Sequence, residues 1–358
     1  MSAVRLEDNV ANRTLSAEQP KFKIWSSAGL MLSYWCPAQC ACCYVYSGPH
    51  VGGDSTEMSV ELAVACWRSV RALAGERGKV HITGGEPFGD YERLRTVLQI
   101  ACQERLGGLE KVETNAYWCT DEQLVRARLS ELKSLGLSKL QVSTDVYHQE
   151  YIPIERVRLA VQVAREILGD SGVQVRWRDF LVRPVLVAGK DGAHRAAAFA
   201  KALRRRKERM LGRAAVELVS LFPLRDYKYF AETNCSRSLL GARHVHIDGV
   251  GNVFCGTCIG IVAGRAGSNK ETSLEELWRD FDYRKHPIFS ILAEKGPTEL
   301  LVQAQKMGYR PKAGYADKCH ICYDVRRFLY ERNQFHRFLG PGVCYGQGSA
   351  GSAEPKGR

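Results

Sequence analysis

No apolar run in the 358-residue sequence approaches the roughly 18–20 residues that a membrane span needs, so a membrane-embedded chain is not expected. Residues Met1 to Pro20 are polar and lack the apolar core of a secretory signal, which points to a cytoplasmic location. There is no internal repeat. Apolar residues make up 45% and charged residues 25%, which excludes wholesale disorder as well as collagen and coiled-coil architectures. An even cysteine set is also missing. The 13 cysteines are Cys36, Cys40, Cys42, Cys43, Cys66, Cys102, Cys119, Cys235, Cys255, Cys258, Cys319, Cys322 and Cys344, and an odd count argues against a closed disulfide framework. In a large chain from a reducing compartment, clustered cysteines point to metal or iron–sulfur binding.

What is present begins with charge. Lys and Arg number 51 against 39 Asp and Glu, a net charge of +12. Much of the excess sits in Lys201–Arg213, where a solvated helix face and a partner-binding patch both fit. Residues 1–24 read as an arm. From Leu30 strand-like and helix-like segments alternate. Strands are expected at Leu30–Trp35, Lys79–Thr83, Leu109–Thr114, Leu137–Ser143, Val173–Trp177 and Ala215–Phe222, with amphipathic helices between them. Six such units predict an α/β fold, a parallel sheet closed into a partial (β/α)6 barrel of the TIM type over residues 25–225. Residues 226–345 are rich in Cys, Gly, His and aromatics and read as a small separate domain held by metal. Residues 346–358 read as a disordered tail.

Cys36, Cys40 and Cys43 give a C-x3-C-x2-C spacing just beyond the first strand. Three thiolates on one tight loop can hold three irons of a cubane cluster and leave the fourth iron open. Zinc would normally take four ligands from paired C-x2-C units. Cys42 can compete with Cys43, and spacing alone favours Cys43. The second strand ends in Thr83-Gly84-Gly85-Glu86-Pro87, where a glycine pair lets backbone approach a ligand closely beside a carboxylate. Asn115 ends the third strand, Ser143 and Asp145 the fourth, and Arg176 and Arg178 the fifth. Each alone fits a turn, a cap or a solvated face. On a parallel barrel, however, all strand carboxyl ends share one face, where active sites lie. Tyr147 and His148 follow Asp145, and a His there can touch substrate or move a proton, or be structural.

In this order the motifs of residues 28–225 resemble the radical S-adenosylmethionine (radical SAM) superfamily. The family's loop is C-x3-C-x-aromatic-C; this sequence has Cys42 in the aromatic slot and Tyr44 directly after the last cysteine. The resemblance implies a [4Fe-4S] cluster on Cys36, Cys40 and Cys43 that binds S-adenosylmethionine. It also implies cofactor contacts from Tyr44, Gly84, Gly85, Glu86, Pro87, Asn115, Ser143, Asp145 and either Arg176 or Arg178. The implied activity is reductive cleavage of S-adenosylmethionine to a 5′-deoxyadenosyl radical that abstracts a substrate hydrogen. A flavodoxin- or ferredoxin-type reductase is the implied electron donor.

Cys235, Cys255-x2-Cys258, Cys319-x2-Cys322 and Cys344 resemble the SPASM auxiliary-cluster extension or its shorter twitch form. Phe328 and Arg332 stand where the full pattern has two further ligands. One auxiliary [4Fe-4S] cluster on four of these cysteines, two on about three each, and a structural zinc ribbon all remain open. The extension implies modification of a peptide or protein side chain, by oxidation or cross-linking. The alternative is oxidation or rearrangement of a small metabolite such as a sugar or nucleoside. A non-catalytic zinc module holding nucleic acid on Arg204–Arg209 is the remaining contrast; nucleic acid is not the expected partner.

Overall fold

The computed structural model describes residues 4–52, 56–267 and 271–347. Eight strands form one sheet: β1 (Ser27–Met31), β2 (Lys79–Thr83), β3 (Leu109–Thr114), β4 (Leu140–Ser143), β5 (Val173–Arg176), β6 (His244–Ile247), β7 (Asn252–Cys255) and β8 (Gly264–Arg265). Their order is β5-β4-β3-β2-β1-β6-β7-β8. The first six strands pair in parallel, and β7 and β8 turn back antiparallel. This is the expected α/β class. Helices α1 (Val60–Ala74), α2 (Tyr91–Gln103), α3 (Glu122–Ser134), α4 (Val146–Gln149) and α5 (Ile154–Leu168) alternate with the first five strands. Then come α6 (Arg178–Val182), α7 (Gly192–Arg205), α8 (Ala214–Glu217) and α9 (Ser236–Leu239). α10 (Leu274–Asp280), α11 (Pro287–Glu294), α12 (Pro297–Gln305) and α13 (Lys318–Glu331) follow the hairpin.

Strands of a parallel sheet covered on both faces usually read as unbroken apolar runs. These instead alternate. Val80 and Ile82, Leu140 and Val142, and Val245 and Ile247 are buried on one face. Helix α1 supports that face through Leu62, Ala63, Cys66, Trp67, Val70 and Leu73, spaced three and four apart, and Ser59 caps it by accepting from the Leu62 amide. Full burial of a large apolar side chain of this kind contributes about 1.5–3 kcal/mol. The opposite face carries His81, Lys111, Glu113, Gln141, Arg176, His244 and His246. His81, Lys111, Glu113, Arg176, His244 and His246, from four strands, line a single cavity, so the sheet curls around a polar lumen.

Three expectations are corrected. Ala215–Phe222 is not a strand but α8 followed by a 3-10 turn at Val219–Leu221. The sixth parallel strand is His244–Ile247, which pairs along β1 with Ser27 opposite His244 and Gly29 opposite His246. The segment after residue 225 thus supplies three strands to the same sheet. The arm before β1 is packed: Phe22 and Trp25 are fully buried against Phe281, and the Asn9 amide donates to the carbonyls of Trp278 and Phe281. Cys102, expected to be a small buried residue like Cys66, is exposed near the end of α2. The tail expected beyond Gln347 lies outside the described residues. Among those residues no helix is long and apolar enough to cross a membrane.

Candidate functional site

The loop that leaves β1 carries the first cysteine group. Cys36 and Cys40 are buried and Cys43 is half-buried. The loop is tied across its mouth by the Cys36 amide on the Gly48 carbonyl at 3.2 Å, and the Cys43 amide donates to the Cys40 carbonyl at 3.0 Å. From outside the loop, the buried Arg213 guanidinium donates to the carbonyls of Cys40, Tyr46 and Ser47. In the sequence Arg213 ends a basic stretch; in the fold it is a staple for this loop. Burial, together with the neighbouring Glu86 charge, holds the Cys36 thiol far above its ordinary range, and burial does the same at Cys40. Thiols so placed become thiolates only when a cation is supplied, as iron does. Cys42 lines the same cleft as Cys36, Cys40 and Cys43. Its sulfur lies within 4.8 Å of ligand atoms of Asp145 and His148.

The Gly84-Gly85 segment runs alongside the same loop. The Gly85 amide donates to the Ser33 carbonyl at 2.7 Å, and the Glu86 amide to the Trp35 carbonyl at 2.9 Å. Gly84 has φ of 132°, and a Cβ on Gly85 would sit 1.9 Å from the Trp35 oxygen. Only glycine lets this backbone lie against the cysteine loop. Gly84, Gly85 and Pro87 line a narrow cleft of about 100 Å3 together with Cys36, Cys40 and Cys43.

Glu86 does not face that cleft. One carboxylate oxygen accepts from the Thr114 hydroxyl (2.8 Å) and the Phe88 amide, the other from the Asn115 amide (2.7 Å). It therefore clamps the end of β3 to the end of β2. Burial pushes its carboxyl up to about 7, against the pull of the Asn115 amide and Thr114 hydroxyl. Asn115 does reach the cleft, with its side-chain amide 3.4 Å from the Cys36 sulfur.

Ser143 and His148 line the cleft; Asp145 and Tyr147 stand behind it. Asp145 caps α4, accepting from the Tyr147 and His148 amides, and its carboxylate lies 2.8 Å from His148 Nδ1. Burial works to raise the Asp145 carboxyl, but His148 and Arg176 outweigh it and hold it below the usual range. The pair orients the His148 ring. Tyr147 is buried against Phe199. Arg176 reaches the cleft from the end of β5, whereas the exposed Arg178 opens α6 and is absent from the cleft lining.

Next to the cleft, sharing Cys42, Tyr44, Glu113 and Arg176 with it, opens a larger cavity of about 660 Å3. Its lining was missed in the sequence, although the period-two alternation of β2, β3 and β6 carried the signal. Glu113 accepts from the Thr83 hydroxyl and pairs with Lys111 at 2.9 Å. Burial raises its carboxyl, His81 and Lys111 lower it, and the pull wins, down to about 2. Burial also lowers His81 to about 3 and His244 to about 2, so at neutral pH Lys111 is the cation that counts. Glu208, from the loop after α7, is pushed up to about 7 by burial. Tyr44 spans both spaces, its hydroxyl 3.2 Å from His246 Nε2.

The C-terminal cysteines divide. The thiols of Cys235, Cys258, Cys319 and Cys322 are electrostatic neighbours. Asp317 caps α13 by accepting from the His320 amide, which puts Cys319 and Cys322 three residues apart on one face of its first turn. Arg209 reaches this group, its guanidinium 3.5 Å from the Cys319 sulfur. Cys255 is buried on β7 beside Trp25 and has the Cys258 thiol as its one electrostatic thiol neighbour, and Cys344 is buried with its sulfur 3.6 Å from the Tyr34 hydroxyl.

Together these features define a parallel α/β domain whose strand ends bring a three-cysteine loop and a glycine-lined cleft to one polar lumen. Residues 30–169 match the model of the Radical SAM superfamily, and this part of the chain is a Radical SAM domain. No curated protein sequence matches the chain. Solved structures similar to it include BtrN in complex with AdoMet and 2-DOIA, at 15% identity over 77% of this chain and 90% of that one, TM-score 0.46. Another is anSMEcpe with bound AdoMet and Cp18Cys peptide, at 12% identity over 86% and 97%, TM-score 0.43. A third is Streptococcus suis SuiB bound to S-adenosylmethionine, at 14% over 90% and 77%, TM-score 0.36.

Proposed function

We propose that the chain is a radical SAM oxidoreductase that takes a hydrogen atom from a small polar substrate held in the lumen. The observation that carries this reading is the meeting of Cys36, Cys40 and Cys43 with the Gly84-Gly85 backbone at the mouth of a cavity walled by charged and hydrogen-bonding side chains. The buried, neutral thiols of Cys36 and Cys40 fit an iron–sulfur cluster that supplies their missing positive charge. When bound, a reduced [4Fe-4S] cluster and S-adenosylmethionine supply a 5′-deoxyadenosyl radical as the hydrogen acceptor.

The chain's own residues bind, orient and exclude water. Gly84 and Gly85 offer bare backbone to the polar end of S-adenosylmethionine. Arg176 supplies a cation from β5, and Asn115 and Ser143 offer neutral hydrogen-bonding groups at neighbouring strand ends. Glu86 acts one layer behind as the clamp that sets Asn115. Asp145 holds His148 Nδ1–H, which leaves Nε2 free to take or give a proton beside the cleft. A peptide side chain, the substrate implied by the auxiliary segment, competes with the small polar substrate. The charged lumen favours the latter.

Cys235, Cys258, Cys319 and Cys322 would hold one auxiliary [4Fe-4S] cluster, with Cys255 and Cys344 left as buried thiols. Tetrahedral zinc would draw four sulfurs to about 3.8 Å of one another. Among the described residues, no three of these thiols lie within 4.8 Å of one another. The wider spacing suits a cubane. A cytoplasmic flavodoxin- or ferredoxin-type reductase belongs to the same proposal.

The test is iron, sulfide and zinc content of anaerobically prepared protein, with 5′-deoxyadenosine measured after dithionite reduction. About 8 irons are expected, falling to about 4 in a Cys36/Cys40/Cys43→Ala variant that makes no 5′-deoxyadenosine. Iron unchanged by that triple substitution would overturn the reading. Hydrogen abstraction from a peptide but from no polar metabolite would overturn the substrate class alone.

A further inference from the structure

Three histidines meet in the lumen from strands far apart in sequence. His81 lies on β2, and His244 and His246 on β6; β1 runs between those strands. Gly29 on β1 pairs in register with His81 on one side and His246 on the other. A Cβ at Gly29 would come within 2.7 Å of His81 Nε2 and 2.8 Å of the His246 ring, so the absent side chain is what lets the rings converge. One ligating nitrogen from each ring falls within 4.8 Å of the other two. The His244 and His246 ring centroids are 4.7 Å apart and their planes nearly perpendicular.

The rings are oriented as metal ligands usually are. His246 Nδ1–H donates to the Gly256 carbonyl at 2.6 Å, which fixes Nε2 as its lone pair. His244 Nδ1 is held at 2.9 Å by the Ser27 hydroxyl, which leaves its Nε2 free toward the cluster. His81 and His246 are buried and His244 is half-buried, and burial lowers all three rings toward the neutral form that binds metal. His81 and His244 stack with ring centroids 5.0 Å apart and planes 16° apart, so a shared metal requires those two rings to turn as well as to close in. His246 Nε2 meets the Tyr44 hydroxyl at 3.2 Å, a hydrogen bond that a metal would replace, whereas buried His286 spends both nitrogens on backbone, on the Val262 carbonyl and on the amides of Ile288 and Phe289.

We propose that His81, His244 and His246 form a second metal centre of this protein, a three-imidazole site for a divalent first-row transition ion such as zinc. It is separate from both cysteine groups. The donor set is all nitrogen, which suits zinc, copper, iron or nickel rather than magnesium or calcium. Three Zn–N bonds of about 2.0–2.1 Å hold their nitrogens about 3.4 Å apart, so side-chain torsions must draw the rings in by up to about 1.4 Å. A fourth position faces the cavity, with the Glu113 carboxylate 3.9 Å from His81 Nε2 and the Tyr44 hydroxyl 3.2 Å from His246 Nε2 at its edge. Three protein ligands and an open position are the pattern of reactive rather than structural zinc.

The experiment uses the full chain with its iron–sulfur clusters installed, so that cysteines are occupied, and zinc as the probe. Equilibrium dialysis is expected to show one zinc per chain beyond the cluster iron. Zinc K-edge absorption is expected to show only nitrogen and oxygen neighbours at about 2.0–2.1 Å. His81→Gln, which breaks no hydrogen bond, is expected to weaken zinc binding by about 100-fold or more, and His244→Gln likewise. No bound zinc in the cluster-loaded wild type, a sulfur shell at about 2.3 Å, or unchanged affinity in both variants would each overturn the proposal. Should a variant also lose iron and fold, the wild-type stoichiometry and spectrum decide alone. None of these readouts depends on cleavage of S-adenosylmethionine.

Discussion

Replacing Gly85 by alanine inserts one methyl group where the chain has no room for it. The new Cβ would lie 1.9 Å from the Trp35 carbonyl oxygen, 2.5 Å from its carbon and 2.8 Å from the Tyr34 oxygen. All three atoms are backbone, so no side chain can swing aside. Relief to an ordinary separation of about 3.2–3.4 Å demands a backbone displacement of about 1.3–1.5 Å, and overpacking of this kind costs about 1–3 kcal/mol or more. Trp35 immediately precedes Cys36, and Gly85 lines the same cleft, so the displacement is delivered to the cluster loop and its cofactor together. A misplacement of about 1 Å costs about 100-fold in rate. The assay is 5′-deoxyadenosine formation per bound iron, with thermal unfolding alongside. Gly192→Ala is the control, because a Cβ there meets nothing within 4 Å. A Gly85→Ala protein that holds its iron and turns over within about twofold of wild type would refute the close-approach argument.

Arg213→Met removes a buried cation from three carbonyls of the cysteine loop. Leaving them unsatisfied is expected to cost about 3 kcal/mol or more and to speed iron loss to a chelator; an unmoved denaturation midpoint would show that the loop closes without it. Cys42→Ala is expected to keep all cluster iron while Cys43→Ala loses about 4 irons, and Cys255→Ala and Cys344→Ala are expected to keep what Cys258→Ala loses, all read by iron analysis. Glu208 is raised by burial from its ordinary 4.5 to about 7, so the folded chain holds the extra proton between those values. Stability from this group is therefore full below about 4.5 and declines as pH rises through 7. Glu208→Gln should gain in melting temperature relative to wild type between pH 5 and pH 8, and a pH-independent difference would contradict the burial of that carboxyl.

Motifs confined to one stretch of chain were legible in the sequence alone. The spacing of Cys36, Cys40 and Cys43, and Gly84-Gly85-Glu86-Pro87 at a strand end, depend on local covalent distance. So do the second to fifth strands, whose apolar residues recur with the period of their own backbone, whereas the first, expected at Leu30–Trp35, runs over Ser27–Met31. Even there, the direction of a side chain was not legible. Glu86 and Asp145 are carboxylates beside a cleft, yet each spends its oxygens on neighbouring amides. The sixth strand went to the wrong segment because Ala215–Phe222 is apolar enough for either element. The free edge of β1, which only the assembled sheet presents, is taken by His244–Ile247 instead.

The rest was decided by tertiary structure, through contacts between residues far apart in the chain. Which four of six C-terminal cysteines come together depends on how α13 packs beside Cys235 and the β7 hairpin. Arg213 became a staple for a loop some 170 residues earlier, as no local pattern could foretell. Three histidines and a glycine became one site because β2, β1 and β6 lie side by side, and a parallel register puts every second residue of all three on the same face.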